Sequence, residues 1–239
     1  MDKIFVETMY FGIVLSLLSY WIAVQIRKKF PYPLFNPLLM SALISIAVLS
    51  FFHIDFDTYN QGAQMITFLL TPSTVCLAVP LYKQSQILMK HLDAILLSLL
   101  SGCLAGMLSI TVLCLLFNAS NTLLFSLLPK SITTAIAIGV SDKLGGNSTI
   151  ELIGGNSTMT VGIVIITGIF GAMIAKTVCH IFKINHPVAI GLALGNSAHA
   201  IGTAKAIEFG EIEGAMSSLS IVIAGIFTVV FAPLIASLF

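Results

Sequence analysis

Lys130 is the residue of this sequence whose chemistry is most conspicuous. Neither Asp, Glu, Lys nor Arg occurs between Ala94 and Pro129, and the next charged residue after Lys130 is Asp142. A charge held inside a bilayer costs at least about 3 kcal/mol, so something must offset that cost. Three hydroxyls suited to this role follow directly: Ser131, Thr133 and Thr134. With the free N–H groups of a helix that starts after Pro129, they predict an anion site.

Lys130 also allows a simpler interpretation. If it lies near the membrane interface, its long side chain can reach the headgroups and needs no ligand. The clustering of hydroxyls with the charge favours the anion site, and the sequence alone leaves both interpretations open.

His199 lies near the middle of a second stretch without charges, from Ile184 to Ala204. Its neighbours are small or polar where a lipid-facing helix would have Leu or Ile: Gly195, Asn196, Ser197, Gly202 and Thr203. Polar, glycine-rich backbone at membrane depth is tolerated only inside protein or around a watery cavity. Because histidine exchanges a proton near neutral pH, we expect His199 to contact a carboxylate or to couple transport to protons. The alternative is a neutral histidine that packs between helices.

The charged residues after this stretch predict the polar end of a helix. Lys205 and Glu208 are spaced as an i,i+3 ion pair, and Glu208 is the second candidate, after His199, for a gate or proton carrier.

The four cysteines, Cys76, Cys103, Cys114 and Cys179, lack metal-ligand spacing, and no nucleotide or metalloprotease motif is present. We therefore expect no metal, no cofactor and no enzymatic activity.

The elements that must position these residues are transmembrane helices. The chain has 239 residues, of which 57% are apolar and 9% are charged, against roughly 25% charged in soluble proteins. Seven stretches lack charges for 19 residues or more, about the length of a bilayer crossing. The net charge of +1, without a basic stripe, excludes a nucleic-acid binder. The sequence therefore predicts an all-α polytopic membrane protein.

Hydropathy predicts about seven to eight transmembrane segments within one domain, 1–239. The predicted helices are 4–26, 34–53, 62–82, 92–117, 121–141, 159–182, 187–206 and 214–238. The short charged connections between them leave no room for an extramembrane domain.

Two or three of these helices are predicted to be broken or re-entrant. Pro72 and Pro80 interrupt 62–82, and we expect a break near Thr71 and Thr74, whose hydroxyls are candidate substrate ligands. Pro129 interrupts 121–141, and the glycines Gly195 and Gly202 are expected to break 187–206.

The spacing of the broken segments is consistent with two repeats, 1–118 and 119–239. Each half then contains four segments with a broken third one, which is typical of transporters whose site lies between repeats. If all eight segments cross, Lys176 and Lys183 end outside, against the positive-inside rule. That conflict disappears if 121–141 folds back as a hairpin around Pro129. Both topologies stay open.

Four stretches of the sequence resemble the bacterial LrgB family, which includes CidB and YohK. They are NPLLMSALI (36–44), FLLTPSTVCLAVPLYKQ (68–84), LLPKSITTAIA (127–137) and GLALGNSAHAIGTAKAIEFGEIEGAMS (191–217). The resemblance extends from about Asn36 to the C-terminus. It implies a multi-pass protein of the bacterial cytoplasmic (inner) membrane. Two positions depart from the family pattern: Ala135, where a proline is frequent, and the run from Asn196 to Ala198, where a Thr-Ala-Ser-like sequence is usual.

The resemblance implies two functions. Chloroplast members exchange glycolate and glycerate and bacterial ones have been linked to pyruvate, which suggests a carrier of small monocarboxylates such as these or lactate. For such a carrier, His199 is the candidate for coupling to protons. Members named antiholin-like are thought to regulate murein hydrolase export and cell lysis with an LrgA-type partner. That role predicts an association surface, for which Gly102–Gly106 and Gly168–Ala172 offer small-residue patterns, and it would suit a homo-oligomer. Polar residues are concentrated at a few predicted helix breaks, and this favours an occluded binding site over an open pore.

Overall fold

The computed structural model describes residues 10–30, 32, 35–69, 72, 75–76, 78–83, 85–90, 92–144 and 155–239. All regular secondary structure in these ranges is helical, as predicted. The helices are α1 (Phe11–Lys29), α2 (Pro37–Phe51), α3 (Phe56–Phe68), α4 (Ala78–Lys83), α5 (Ser85–Lys90), α6 (Leu92–Leu116), α7 (Asn121–Leu127), α8 (Thr134–Lys143), α9 (Ser157–Ile181), α10 (Pro187–Phe209) and α11 (Glu211–Ala236). The chain divides into two compact units, Met1–Cys76 and Leu77–Phe239.

Four of the described helices are long and apolar enough to cross a membrane: α1, α6, α9 and α11. They correspond to the predicted spans 4–26, 92–117, 159–182 and 214–238. The predicted spans 121–141 and 187–206 are each occupied by two shorter helical pieces instead of one continuous helix. The number of crossings, seven or eight, stays a prediction.

In the first unit, α1 packs against α2 and α3. Gly12 of α1 lies so close to the α3 backbone that a Cβ there would come within 2.6 Å of the Ala63 nitrogen. One turn further on, the Ser16 hydroxyl lies 2.7 Å from the Tyr59 hydroxyl. The absence of a side chain at position 12 is what allows this approach.

The predicted break around Thr71 and Thr74 falls on residues outside the described ranges. Pro72 is described and exposed, and Pro80 lies within the short helix α4. The predicted role of the two threonines therefore stays a prediction.

Three helices end with the same turn. The residue two positions beyond α2, α6 and α9 has a positive φ, and the next N–H reaches back to a carbonyl five residues earlier, which is the Schellman arrangement. The φ values are 50° at His53, 49° at Asn118 and 54° at Lys183. The closing distances are 2.9 Å from Ile54 to Leu49 and 2.8 Å both from Ala119 to Cys114 and from Ile184 to Cys179. Each turn is followed closely by a new helix: α3, α7 and α10.

Helices α7 and α8 form a hairpin. The Ser126 hydroxyl of α7 accepts from the Asn156 N–H at 2.8 Å, and the Ser141 hydroxyl of α8 accepts from the Thr160 hydroxyl at 2.9 Å. Ser126 and Ser141 thus contact neighbouring residues at the start of α9, although a continuous helix would place them about 22 Å apart. The chain therefore folds back between α7 and α8, in agreement with the hairpin topology. The turn contains Pro129 and Lys130.

Helix α10 forms a second hairpin that turns at His199. This residue has φ 43° and ψ −133°, far from helical values. The backbone of Ser217 in α11 lies against Gly195, and the Ser217 hydroxyl lies 2.8 Å from that of Thr203. A continuous helix would separate Gly195 from Thr203 by about 12 Å. The entering arm (Pro187 to Ala198) and the returning arm (Ala200 to Phe209) therefore both lie along α11.

The predicted break positions in this helix need correction. Gly195 and Gly202 do not break it, because the non-helical residue lies between them at His199. Both glycines allow close packing: a Cβ on Gly195 would come within 2.6 Å of the Ser220 Cβ, and one on Gly202 within 2.8 Å of the Ala198 Cβ. The sharp bend brings these backbones together, and only glycine fits between them.

The two hairpins extend toward the middle of α6 from its opposite ends. Near its start, Ile95 and Leu99 pack with Leu192 of α10. Near its end, Ile110 and Cys114 share a core with Leu124, Phe125 and Leu128 of the first hairpin. The turns of the two hairpins consequently approach each other near the middle of α6.

Candidate functional site

A small pocket lies where the two hairpins meet, and its volume is about 20 Å³. Its lining residues come from the middle of α6, the first turn, the second hairpin and the middle of α11: Gly102, Cys103, Gly106, Met107, Ile110, Leu128, Ser131, Ile132, Asn196, Ala224 and Thr228. Helices α6 and α11 span 25 and 26 residues and are long and apolar enough to cross a membrane, and the pocket lies against their central turns. Transporters with discontinuous helices bind their substrates near the bilayer midplane.

Four polar side chains face this pocket. The Cys103 sulfur lies 3.6 Å from the Thr228 hydroxyl, and both groups are buried. Ser131 reaches the pocket from the first hairpin and Asn196 from the second. Within the described part of the chain, the Asn196 side chain makes no hydrogen bond. The pocket therefore offers hydroxyl and amide groups to a small polar ligand.

Lys130 lies in the turn beside the pocket and is half-buried. Its Nζ donates to the Ser131 hydroxyl at 3.1 Å, which links the charge to a pocket residue. Over the described ranges, the ion pair between Lys205 and Glu208 is the one salt bridge, so no carboxylate there neutralises Lys130. A half-buried lysine without such a partner is suited to contact an anion.

Thr133 and Thr134 begin the helix that follows the turn. Thr133 is the N-cap of α8 and makes no side-chain capping bond. The N–H groups of the first turn have no acceptor within the helix itself. They therefore add positive potential beside Lys130, in support of the predicted anion site.

His199 is buried at the turn of the second hairpin. Its Nε2 lies 3.0 Å from the Val164 carbonyl oxygen of α9, and since a carbonyl only accepts, Nε2 carries the proton. The ring rests on Gly168, where a Cβ would come within 2.7 Å of Cε1 and Nε2. His199 lines neither of the cavities described in this section, so its contacts hold the turn of the hairpin against α9.

The remaining predicted residues lie away from the pocket lining. Thr203 is buried and bonds to the His199 carbonyl at 3.1 Å as well as to Ser217. Ser197 is exposed and donates to the Ala193 carbonyl at 2.6 Å. Glu208 is exposed at the end of α10 in its ion pair with Lys205. Of the predicted ligands, the structure therefore brings Lys130, Ser131 and Asn196 together.

A larger groove of about 580 Å³ lies between α6 and the entering arm of α10. It is lined by Ala94, Ile95, Ser98, Leu99, Gly102, His186, Val188, Ala189, Leu192, Ala193 and Asn196. The groove and the pocket share two residues, Gly102 and Asn196. These two residues therefore border both cavities.

Sequence reasoning missed Cys103 and Thr228 and assigned Gly102 to a different role. Thr228 is the only polar residue between Ile221 and Pro233, which is a signal that could have identified it. Gly102 and Gly168 fit a pattern for helix association between proteins. In the structure Gly102 instead packs against the Asn196 amide and Gly168 against the His199 ring.

Metal binding finds no support in the described ranges, where no three His, Cys, Asp or Glu side chains come together as ligands would.

Comparisons with known proteins give one consistent family. The LrgB-like family matches residues 16–238. The chain is 37% identical to "Uncharacterized protein YxaC" of Bacillus subtilis over 95% of both chains. It is 36% identical to "Antiholin-like protein LrgB" of Bacillus cereus and to the protein of the same name of Bacillus anthracis, again over 95% of both chains. No solved structure matches the chain.

Proposed function

This chain belongs to the LrgB-like family, and we propose that it carries small monocarboxylates across the bacterial cytoplasmic membrane. One observation carries the proposal: the turns of two hairpins, which enter from opposite ends of α6, meet at a polar pocket beside Lys130. Discontinuous helices that meet at mid-depth are the usual architecture of a secondary transporter site.

The substrate class follows from the groups around the pocket. Lys130 supplies one positive charge, which suits one carboxylate. Ser131, Asn196 and Thr228 supply the hydroxyl and amide groups that a hydroxyl or keto oxygen requires. Glycolate, glycerate, lactate and pyruvate combine these two features.

The pocket must enlarge before it holds such a molecule. Its volume of about 20 Å³ is enough for one water. The structure therefore corresponds to a closed form, in which substrate entry requires movement of the groups that surround the pocket.

We further propose that His199 couples transport to protons. Its Nε2 is occupied by the Val164 carbonyl, which leaves Nδ1 as the atom that gains or loses a proton. Replacing His199 with Asn is expected to flatten the pH dependence of uptake. An unchanged pH profile would contradict the coupling role while leaving the carrier function in place.

A second candidate is an antiholin-like regulator that acts with an LrgA-type membrane partner or as a homo-oligomer. The name of the relatives that are 36% identical favours it more directly than it favours the carrier. The regulator would not require a substrate pocket, so the pocket and Lys130 are the features that separate the two candidates.

Uptake of radiolabelled glycolate and pyruvate into proteoliposomes tests the carrier. Saturable uptake that Lys130→Ala abolishes and Lys143→Ala leaves unchanged would support it, since Lys143 is an exposed lysine at the end of α8 and serves as the matched control. Uptake with equal rates in both variants would remove Lys130 from the site.

Absence of uptake is resolved by adding an LrgA-type subunit to the same vesicles. Uptake that then appears indicates a carrier with an obligatory partner. If uptake stays absent while both proteins together alter lysis of growing cells, the regulator is the correct function.

A further inference from the structure

We propose that the Asn196 side chain is the gate through which substrate passes from the groove into the pocket, an inference that rests on the proposed carrier function. Asn196 and Gly102 are the two residues common to the linings of both cavities. These two residues therefore border both cavities and lie where a route between them would pass.

The amide of Asn196 closes this route by lying over Gly102. A Cβ on Gly102 would collide with the Asn196 Nδ2 and would come within 3.6 Å of its Cγ. The side chain thus occupies the space that any larger residue at position 102 would fill. Because no hydrogen bond to a described residue holds the amide, its rotation is opposed by packing alone.

The backbone of the same arm is held in place, which assigns the movement to the side chain. Gly195 packs against the Ser217 backbone and the Ser220 Cβ of α11. The buried Leu192 packs against Ile95 and Leu99 of α6. Rotation of one unbonded amide between these fixed contacts is the smallest change that joins the two cavities.

The groove leads to the end of the second unit where α6 and α10 begin. Ala94 and His186 line that end of the groove. Three lysines lie at or near this end: Lys90 precedes α6, Lys183 lies between α9 and α10, and Lys205 is in the returning arm, whereas Lys143 ends a helix of the other hairpin. By the positive-inside rule the lysine-rich end is cytoplasmic, so the gate controls exchange between the pocket and the cytoplasm.

Cys103 provides a test that does not depend on transport, because it lines the pocket and is absent from the groove lining. In a full-length protein with Cys76, Cys114 and Cys179 replaced by Ala, Cys103 is exposed to an anionic, membrane-impermeant methanethiosulfonate. Modification is followed by intact mass in inside-out and in right-side-out vesicles.

Asn196→Ala is expected to accelerate modification of Cys103 at least tenfold in inside-out vesicles and not in right-side-out ones. Asn196→Leu, which restores bulk, should return the rate to that of the parent protein. Ser101→Ala, an exposed neighbour outside both cavities, is the matched control and should not change the rate.

An unchanged rate in Asn196→Ala, or equal acceleration from both sides, would overturn the gate. Acceleration from the inner side in a protein that shows no uptake, either alone or with an LrgA-type subunit, would keep the gate and reject the carrier. Normal uptake together with an unchanged Cys103 rate would keep the carrier and reject the gate.

Discussion

The Nε2 atom of His199 donates a hydrogen bond to the carbonyl oxygen of Val164 at 3.0 Å, which joins the turn of the second hairpin to α9. His199 has a positive φ and a ψ of −133°, a conformation that side-chain-bearing residues rarely adopt. Strain of this kind persists only where surrounding contacts impose it. The contacts that impose it are the hydrogen bond to Val164 and the packing of the imidazole ring against Gly168.

Gly168→Ala is expected to destabilise the protein strongly, because the new Cβ would come within 2.7 Å of the imidazole. Small-to-large changes in packed interiors cost about 1–3 kcal/mol. In a His199→Ala background the same change should cost less, since the ring is gone and only the end of the flexible Ile201 side chain, at 2.9 Å, must move. A double-mutant cycle by thermal unfolding in detergent measures this coupling, and additive effects would show that the two residues do not meet.

Thr203 and Ser217 are expected to stabilise the second hairpin jointly. Their hydroxyl oxygens lie 2.8 Å apart, and both residues are fully buried. Thr203→Val, Ser217→Ala and the double variant should yield a coupling energy of about 1 kcal/mol, as for other hydrogen bonds between membrane helices. Denaturant unfolding in mixed micelles measures it, and a coupling near zero would argue against the fold of the returning arm.

Gly195→Ala should destabilise the protein and reduce uptake, because the entering arm could no longer approach α11. Gly162→Ala in α9 is the matched control, since a Cβ there meets no atom within 4 Å. That control should be neutral or stabilising by about 0.5–1 kcal/mol, as alanine is preferred over glycine in helices. Melting temperatures of the two variants are compared, and equal shifts would contradict the packing against α11.

Lys130→Met is expected to raise stability and abolish uptake at the same time. Removing a half-buried charge from membrane depth should stabilise the fold by about 1 kcal/mol, whereas the carboxylate loses its counter-charge. Melting temperature and uptake are measured on the same preparation. If Lys130 only contacts lipid headgroups, the substitution would instead leave uptake unchanged.

The sequence by itself determined the membrane class and the regions that carry polar chemistry. Stretches without charges define membrane helices because transfer into lipid depends on local composition. The clusters around Lys130 and His199 stand out for the same reason, and both regions lie at turns in the structure. The family could also be recognised from four motifs.

Only the tertiary structure decided which of these residues meet. Gly102 and Asn196 are 94 positions apart, and Cys103 and Thr228 are 125 apart, so no local pattern relates them. The direction of each hairpin likewise depends on contacts with α9 and α11. The break at His199 illustrates the difference. Glycine content predicted breaks at positions 195 and 202. In the structure those glycines allow close packing, and the bend lies at His199, whose ring is hydrogen-bonded to Val164.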